Sequence, residues 1–481
     1  MRLSDMILVL NYSDRFSAEI TRRLRTEQIH ARIASPETTA EQIKALAPRG
    51  VILSGEASTE DAALDEEWLR LGIPMLAFGH ASRPLLTCLG GACADTAISK
   101  KKALIQYGES MLFRGVREGE RYLKEAKTLM LPTGVAETAC AAGCTIAFED
   151  AERKLYGIQL ELERNDPEGT TILMNFACDI CGCTAWWTTN AAREQAEAVL
   201  AKAAAEGGQA VCAVSGGVDS TLAALLTHRA FGDRMTAVFV DTGLMREGEA
   251  EEIRTAFDAL GIPLRVVDRS GEILEHLAHK RGIDEKRQVV TERLVEEMLR
   301  QSASIEGKKT LVLGTNYSDF LNSGSSAPSW DESGMTVVEP LMELLKEEVR
   351  DIARMLGIGE EIVERKPFPA LGLGARIVGE VTGERLHALR TAEAIFREEI
   401  RLAGLERKLY KHFPVLIGGE TVGSELIVLR AVTLSGGQLV PARLPYDLIE
   451  RTVQRIMEAT PAVGRVFYDE TPTPVGRETF S

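Results

Sequence analysis

Apolar residues fall in short runs separated by helix-spaced segments. Residues 6–10 (M-I-L-V-L) form a continuous apolar run, which suits a strand covered on both faces of a parallel sheet. Residues 17–25 carry helical spacing. Residues 51–53, 74–78 and 155–160 read as further strands. This alternation predicts an open α/β sheet with ligands at strand C-terminal ends. Residues 190–207 are rich in alanine and glutamate at helical spacing and lead into a strand at 210–214, so a boundary is expected near Thr189. A second α/β region follows, with strands at 235–240, 264–267 and 310–313. The Ser-, Gly- and Pro-rich segment 322–335 reads as a mobile loop. A third region opens near Arg365 with P-F-P-A-L-G-L-G. Helices near 385–402 and 447–460, with strands near 413–417, 426–432 and 465–468, make it a small α+β domain.

A length of 481 residues predicts several domains, and 45% hydrophobic with 26% charged residues excludes a disordered chain. No apolar run approaches the roughly 18–20 residues that span a bilayer. The N-terminus reads as a first strand rather than a signal peptide, so a cytoplasmic protein is expected. Lys plus Arg number 56 against 71 Asp plus Glu, for a net charge of −15. That balance argues against nucleic acid or an anionic membrane as partner, and leaves room for a local phosphate pocket. The 8 cysteines form no disulfide framework. They cluster as Cys88/Cys93, Cys140/Cys144 and Cys178/Cys181/Cys183. Reduced structural thiols are one reading. A metal or cluster site is the other, although Cys-x-x-Cys-x-Cys lacks a clear fourth partner.

The sharpest motif is Ser215-Gly216-Gly217-Val218-Asp219-Ser220, placed between a strand and a helix. Two glycines let the backbone turn tightly and expose its N–H groups, and the helix presents its positive end to an anion. Ser215 and Ser220 add hydroxyls. Asp219 repels bare phosphate, so its natural partner is a Mg²⁺ ion bridging phosphates. The hexapeptide is the signature of the ATP pyrophosphatase, or PP-loop, enzymes, which cleave ATP between its α- and β-phosphates.

Further segments narrow the likeness: Phe239-Val240-Asp241-Thr242-Gly243-Leu244, Gly314-Thr315-Asn316-Tyr317-Ser318-Asp319, Val338-Glu339-Pro340-Leu341, Lys346 to Arg350, Pro367-Phe368-Pro369, Gly372-Leu373-Gly374 with Arg376, Leu429-Arg430-Ala431-Val432, Leu444-Pro445-Tyr446-Asp447 and Arg465-Val466-Phe467-Tyr468-Asp469. Together they resemble GMP synthases over essentially the whole chain. Asp179-Ile180-Cys181-Gly182-Cys183 fits the family too, which favours the structural reading of those cysteines. The resemblance implies a class I glutaminase-like domain at 1–189. An ATP pyrophosphatase domain of the adenine-nucleotide α-hydrolase type follows at 190–364, and a dimerisation and acceptor-binding domain at 365–481. It implies ATP and Mg²⁺ as cofactors, XMP as the purine nucleotide acceptor, ammonia as nitrogen donor, and a homodimer. O2 of the xanthine is adenylylated, and ammonia then displaces AMP. Asp219 and Ser220 are the catalytic candidates, with Asp219 also the metal ligand. Ser215, Gly216, Gly217, Val218, Val240, Asp241, Gly314 and Thr315 join them around the nucleotide. Arg376, Arg430, Arg465 and Arg477 are the acceptor candidates, with Arg443 and Arg451 behind them.

The first domain departs from the pattern. A class I glutaminase needs a cysteine on a tight strand–helix elbow, activated by a His that a Glu orients. Here the elbow position is Gly79, the His position is Glu161, and only Glu163 remains. The oxyanion-hole stretch reads Glu56-Ala57-Ser58. Cys88, His80 and Ser82 are near the elbow in sequence but not at it, and a carboxylate at Glu161 repels a thiolate. The expectation is a glutaminase fold without glutaminase chemistry, acting as lid, docking partner or ligand sensor. Two departures concern the acceptor side. The family's Lys-Ser-His-His-Asn lid segment has no counterpart in 322–335. The C-terminus ends Arg477-Glu478-Thr479-Phe480-Ser481, where Arg477 takes the place of a phosphate-contacting lysine. Ala370-Leu371 stands for a Gly-Pro.

Three readings follow. The first is a GMP synthase fed by free ammonia or a separate glutaminase. The second is a diverged paralogue that activates another purine-like or carbonyl acceptor for amination or thiolation. Thiolation needs a thiol near the loop; Cys212 is the candidate, against its reading as a core residue. The third is a non-catalytic ATP-binding regulatory or partner protein. Lys286, Arg287, Lys346 and Arg350 read as solvated helix faces, with a place near the site as the alternative. Trp186 and Trp187 read as packing at the domain junction.

Overall fold

The structure is a computed structural model that describes residues 4–12, 14–55, 64–95, 102–123, 126–160, 166–303, 305–323, 330, 334–366, 368, 371–419, 424–435 and 438–472. The chain divides into two compact units, Met1–Arg193 and Glu194–Ser481.

The first unit runs β1 (Ile7–Asn11), α1 (Asp14–Thr26), β2 (Ala31–Ala34), α2 (Ala40–Leu46), β3 (Gly50–Gly55), β4 (Met75–Gly79), α3 (Ser82–Cys88), β5 (Ala92–Ala94), β6 (Lys102–Tyr107), β7 (Gly119–Tyr122), β8 (Thr128–Met130), β9 (Ala136–Ala141), β10 (Cys144–Asp150), β11 (Leu155–Ile158) and α4 (Pro167–Met174). Its nine-stranded sheet has the order β2-β1-β3-β4-β11-β10-β9-β6-β7. The strands from β2 to β11 are parallel and the rest antiparallel. β3 and β4 are buried along their whole length, which is why their sequences are apolar without alternation. α1 turns Ile20 and Leu24 into the core and pairs Glu19 with Arg22 and Arg23 on its other side.

The antiparallel extension is not legible in the sequence, because strands such as A-E-T-A-C-A carry too few β-branched residues to stand out. Cys181 and Cys183 are buried. A side-chain carbon on Gly50 would lie 2.3 Å from Cys181 Sγ, so this thiol fills space that the glycine leaves. Burial pushes the Cys181 thiol up, and that of Cys183 up to about 12. Trp186 and Trp187 both donate their main-chain N–H to Gln28 O, and His30 stacks on Trp187 at 4.3 Å.

The second unit begins within α5 (Thr189–Ala205). It continues β12 (Gln209–Val214), α6 (Val218–Phe231), β13 (Met235–Asp241), α7 (Glu249–Ala259), β14 (Leu264–Asp268), α8 (Ser270–His276), α9 (Ile283–Ala303), β15 (Lys309–Val312), α10 (Tyr317–Ser323), β16 (Thr336–Val338), α11 (Lys346–Met355) and α12 (Glu360–Val363). It ends with β17 (Ile377–Val378), α13 (Gly383–Leu402), β18 (Lys411–Ile417), β19 (Glu425–Ser435), β20 (Gln438–Pro441), α14 (Tyr446–Ala459) and β21 (Val463–Tyr468). A parallel five-stranded sheet has the order β14-β13-β12-β15-β16. A mixed five-stranded sheet has the order β17-β18-β19-β20, antiparallel from β18 to β20, with β21 paired parallel to β19. The α/β class read from the sequence is the observed class. One core joins Leu244, Ile273 and Leu277 of the first sheet's layer to Leu389, Phe396 and Leu429 of the second's. Most of segment 322–335 lies outside the described residues; Trp330 within it is buried against Val211, Val238 and Leu311. Among the described residues no helix is long and apolar enough to cross a membrane.

Candidate active site

β12 ends at Val214 and α6 starts at Val218, so the chain turns through Ser215, Gly216 and Gly217. Gly216 has φ +81°, and Gly217 caps the helix in an extended conformation. The turn needs a glycine at Gly216 on two counts. Its φ is left-handed, and a side-chain carbon there would lie 2.4 Å from Ile253 Cδ1. The first helical hydrogen bond is Thr221 N to Gly217 O, so the amides of Val218, Asp219 and Ser220 have no acceptor within the helix. They leave the N-terminal end of α6 open to an acceptor from outside the helix. Ser220 is buried, and its Oγ lies 3.1 Å from Ser215 N, 3.0 Å from Ser215 Oγ and 3.2 Å from Gly217 O. It therefore braces the turn from inside.

Gly314 rides directly on this turn: a side-chain carbon would lie 2.8 Å from both N and Cα of Ser220. The segment after it reaches over α6. Asn316 Nδ2 donates to Asp219 Oδ1 at 3.1 Å, and Thr315 Oγ1 donates to Glu339 Oε1 at 2.6 Å. Lys346 Nζ pairs with Asp219 Oδ2. Asp319 Oδ2 accepts from Asn316 N at 3.2 Å. Burial raises the Asp319 carboxyl, and so does the charge of Asp219; the Asn316 amide and Lys346 oppose the rise. The result is a half-buried knot of two carboxylates, one ammonium and one amide at the mouth of the turn.

This corrects two readings of solvated helix faces. Lys346 is the first residue of α11 and engages Asp219. A cation at a helix N-terminus opposes the helix dipole, and that was the available sequence signal. Lys286 is 2% exposed and donates to Ile377 O at 2.7 Å. Its ammonium is pushed down to about 8 by burial and then by Arg385. Asn316, Asp319 and Glu339 carry no site signal of their own in the sequence, since only folding brings them to Asp219 and Thr315.

Asp241 ends β13 and accepts from Gly243 N at 2.8 Å through Oδ1. Val240 packs its side chain with Val211, Val238 and Trp330. A cavity of about 780 Å³ opens at this strand end, lined by Asp241, Arg246, Ser270, His387 and Arg390 among others. Arg376 is 9% exposed, with its guanidinium 5.1 Å from the Phe368 ring and 4.8 Å from the Phe413 ring. Arg246 lies 4.3 Å over the same Phe368. Arg430 pairs with Asp469 and donates to Thr471 O at 3.1 Å. Arg451 is held by Glu399 and Asp447. Arg465 is exposed on β21, and Arg477 lies outside the described residues. Cys212 is fully buried, and burial pushes its thiol up to about 12, as a core residue requires.

At the elbow of the first unit, Gly79 ends β4 with φ +69°. His80 N donates to Gly55 O at 3.1 Å, and Ser82 Oγ donates to Gly79 O at 2.8 Å. A side-chain carbon on Gly79 would lie 2.6 Å from Gly55 O. Burial and then Glu66 raise the Cys88 thiol, which keeps it protonated near neutrality. Residues 56–58, Glu161 and Glu163 lie outside the described residues.

Residues 190–378 match the family model described as NAD synthase. Over 98% of this chain and 98% of its own, a protein of Geobacillus kaustophilus named GMP synthase [glutamine-hydrolyzing] is 35% identical. Proteins of the same name from Limosilactobacillus reuteri and Enterococcus faecalis are 32% and 33% identical, each over 98% of this chain and 97% of its own.

Proposed function

Because the chain belongs to the GMP synthase family and is by that membership an ATP-dependent ligase, we propose that it adenylylates a purine nucleotide, XMP, and aminates it to GMP with ammonia that its own first domain does not make. The observation that carries this reading is Gly79. The elbow keeps its left-handed backbone, but the position holds no thiol and its side-chain space is taken by Gly55 O.

The three parts would be 1–189, glutaminase-like and inactive, 190–364, the ATP pyrophosphatase, and 365–481, the acceptor and dimerisation part. ATP would lie with its phosphates on the amides of 218–220 and its adenosine along Val240, Asp241, Gly314 and Thr315. Among the described residues no three metal-ligating side chains converge. Mg²⁺ needs only one or two carboxylates beside phosphates and water, and Asp219 with the neighbouring Asp319 meets that requirement. When bound there it would neutralise charge on the departing pyrophosphate. Lys346 would hold phosphate oxygens by charge, and Ser220 would keep the turn in shape. Adenylylation converts O2 of the acceptor into a good leaving group, AMP, which ammonia displaces.

The second reading, a different acceptor, is favoured by the departures of segment 322–335 and of the tail at 477–481 from the family pattern. The test is release of pyrophosphate and AMP from ATP and Mg²⁺, with and without XMP, at high ammonium and then with glutamine alone. Turnover to GMP with ammonium and none with glutamine is the expected result. XMP-independent or absent release in a protein that binds ATP would move the reading to another acceptor. Turnover with glutamine would end the claim of a dead first domain.

A further inference from the structure

Arg365 stands in the sequence at the opening of the third region, far from the hexapeptide. In the fold its Nη1 donates to Gly216 O at 3.3 Å. The guanidinium is held in turn by two carboxylates of the first turn of α7, Glu252 at 3.2 Å and Glu249 at 3.6 Å. Glu249 is itself buried and accepts from Arg246 N. The side chain of Arg365 is only 16% exposed, and this arrangement is built from three separate segments.

We propose that Arg365 is a positioning residue that sets the orientation of the Gly216–Gly217 peptide in the phosphate-binding turn. This deepens the reading of that turn as the ATP site and rests on it. The physical reason lies in the peptide plane. In a trans peptide the C=O and the following N–H point in opposite directions. Fixing Gly216 O on the guanidinium therefore fixes where Gly217 N–H points, which is towards Ser215 Oγ at 3.5 Å. That contact is long, so the serine alone is a weak hold. Two consecutive glycines make this plane easy to flip, since neither resists a change in the sign of φ. A flip would aim a carbonyl oxygen at Ser215 Oγ in place of an N–H and re-space the turn from which the free amides of Val218, Asp219 and Ser220 start. Arginine suits the task because its fork binds the carbonyl and both carboxylates at once without losing its charge.

The experiment uses the full chain as wild type, Arg365→Ala and Arg365→Lys. It measures the affinity for Mg-ATP and for Mg-pyrophosphate by calorimetry, and KM for ATP and XMP in the pyrophosphate-release assay. Arg365→Ala should weaken both phosphate ligands about tenfold or more, as expected for losing a charge-assisted hydrogen bond. KM for XMP should stay within about twofold, the scale of a distant substitution. Millimolar guanidinium should recover part of the loss, and Arg365→Lys should fall between. Unchanged pyrophosphate affinity in Arg365→Ala would overturn the proposal. So would equal loss for ATP and XMP with no rescue by guanidinium. If Arg365→Ala does not fold, Glu252→Gln, which loosens one anchor, should weaken pyrophosphate binding in the same sense, and wild-type affinity there would overturn it. Wild type that binds pyrophosphate but gives no XMP-dependent turnover would sink the acceptor reading and leave this one standing.

Discussion

The carbonyl oxygen of Gly55 lies 2.6 Å from the point where a side-chain carbon on Gly79 would stand. The strand–helix elbow is intact in its backbone and closed at its centre. Any side chain at position 79 would thus meet a main-chain atom in the space it would need.

Gly79→Cys is therefore expected to yield no glutaminase. The left-handed φ and the contact with Gly55 O should together cost about 1–3 kcal/mol. Denaturant unfolding and a glutamine-hydrolysis assay check both halves. Ammonia release from glutamine by this single variant would show that β3 yields easily.

Asp219→Ala should abolish pyrophosphate release with the fold intact, as judged by circular dichroism. Lys346→Gln should lower the same rate by about a hundredfold or more, the scale of losing one charge stabiliser. Both should leave the melting temperature nearly unchanged, because the Asp219–Lys346 pair is partly solvated.

Asp319 gives a pH signature. Its carboxyl is raised in the folded state, so the folded protein holds that proton more tightly than the unfolded chain. Stability is then lost as pH rises from the ordinary carboxylate range through the raised value. Asp319→Asn should be more stable than wild type at pH 7, and the gain should vanish in acid. A gain that persists unchanged at low pH would contradict this cause.

Lys286 has the opposite sense. Its ammonium is pushed down to about 8, so the unfolded chain binds that proton more tightly between about 8 and 10.5. Wild-type stability should rise over that interval as the buried charge is relieved. Lys286→Met should flatten the rise, as read from unfolding midpoints at pH 7.5 and 9.5.

Gly216→Ala should weaken ATP binding about tenfold or more. Adding Ile253→Ala removes the 2.4 Å contact but not the left-handed φ, so recovery should be partial. Full recovery would mean that sterics alone made the glycine necessary.

The sequence by itself determined the α/β class, the strand–turn–helix at Ser215 to Ser220, and the glycine at position 79. Each depends on neighbours in the chain: period, glycine placement, residue type. Only the tertiary structure decided which charges meet. Lys346 lies 127 residues from Asp219, Asn316 lies 97 from it, and Arg365 lies 149 from Gly216. No local pattern encodes such pairings, because they arise where the ends of parallel strands and the helices after them converge. The closing of the elbow by Gly55 belongs to the same class. The residue at position 79 is legible in the chain, but the oxygen that fills its space comes from the neighbouring strand.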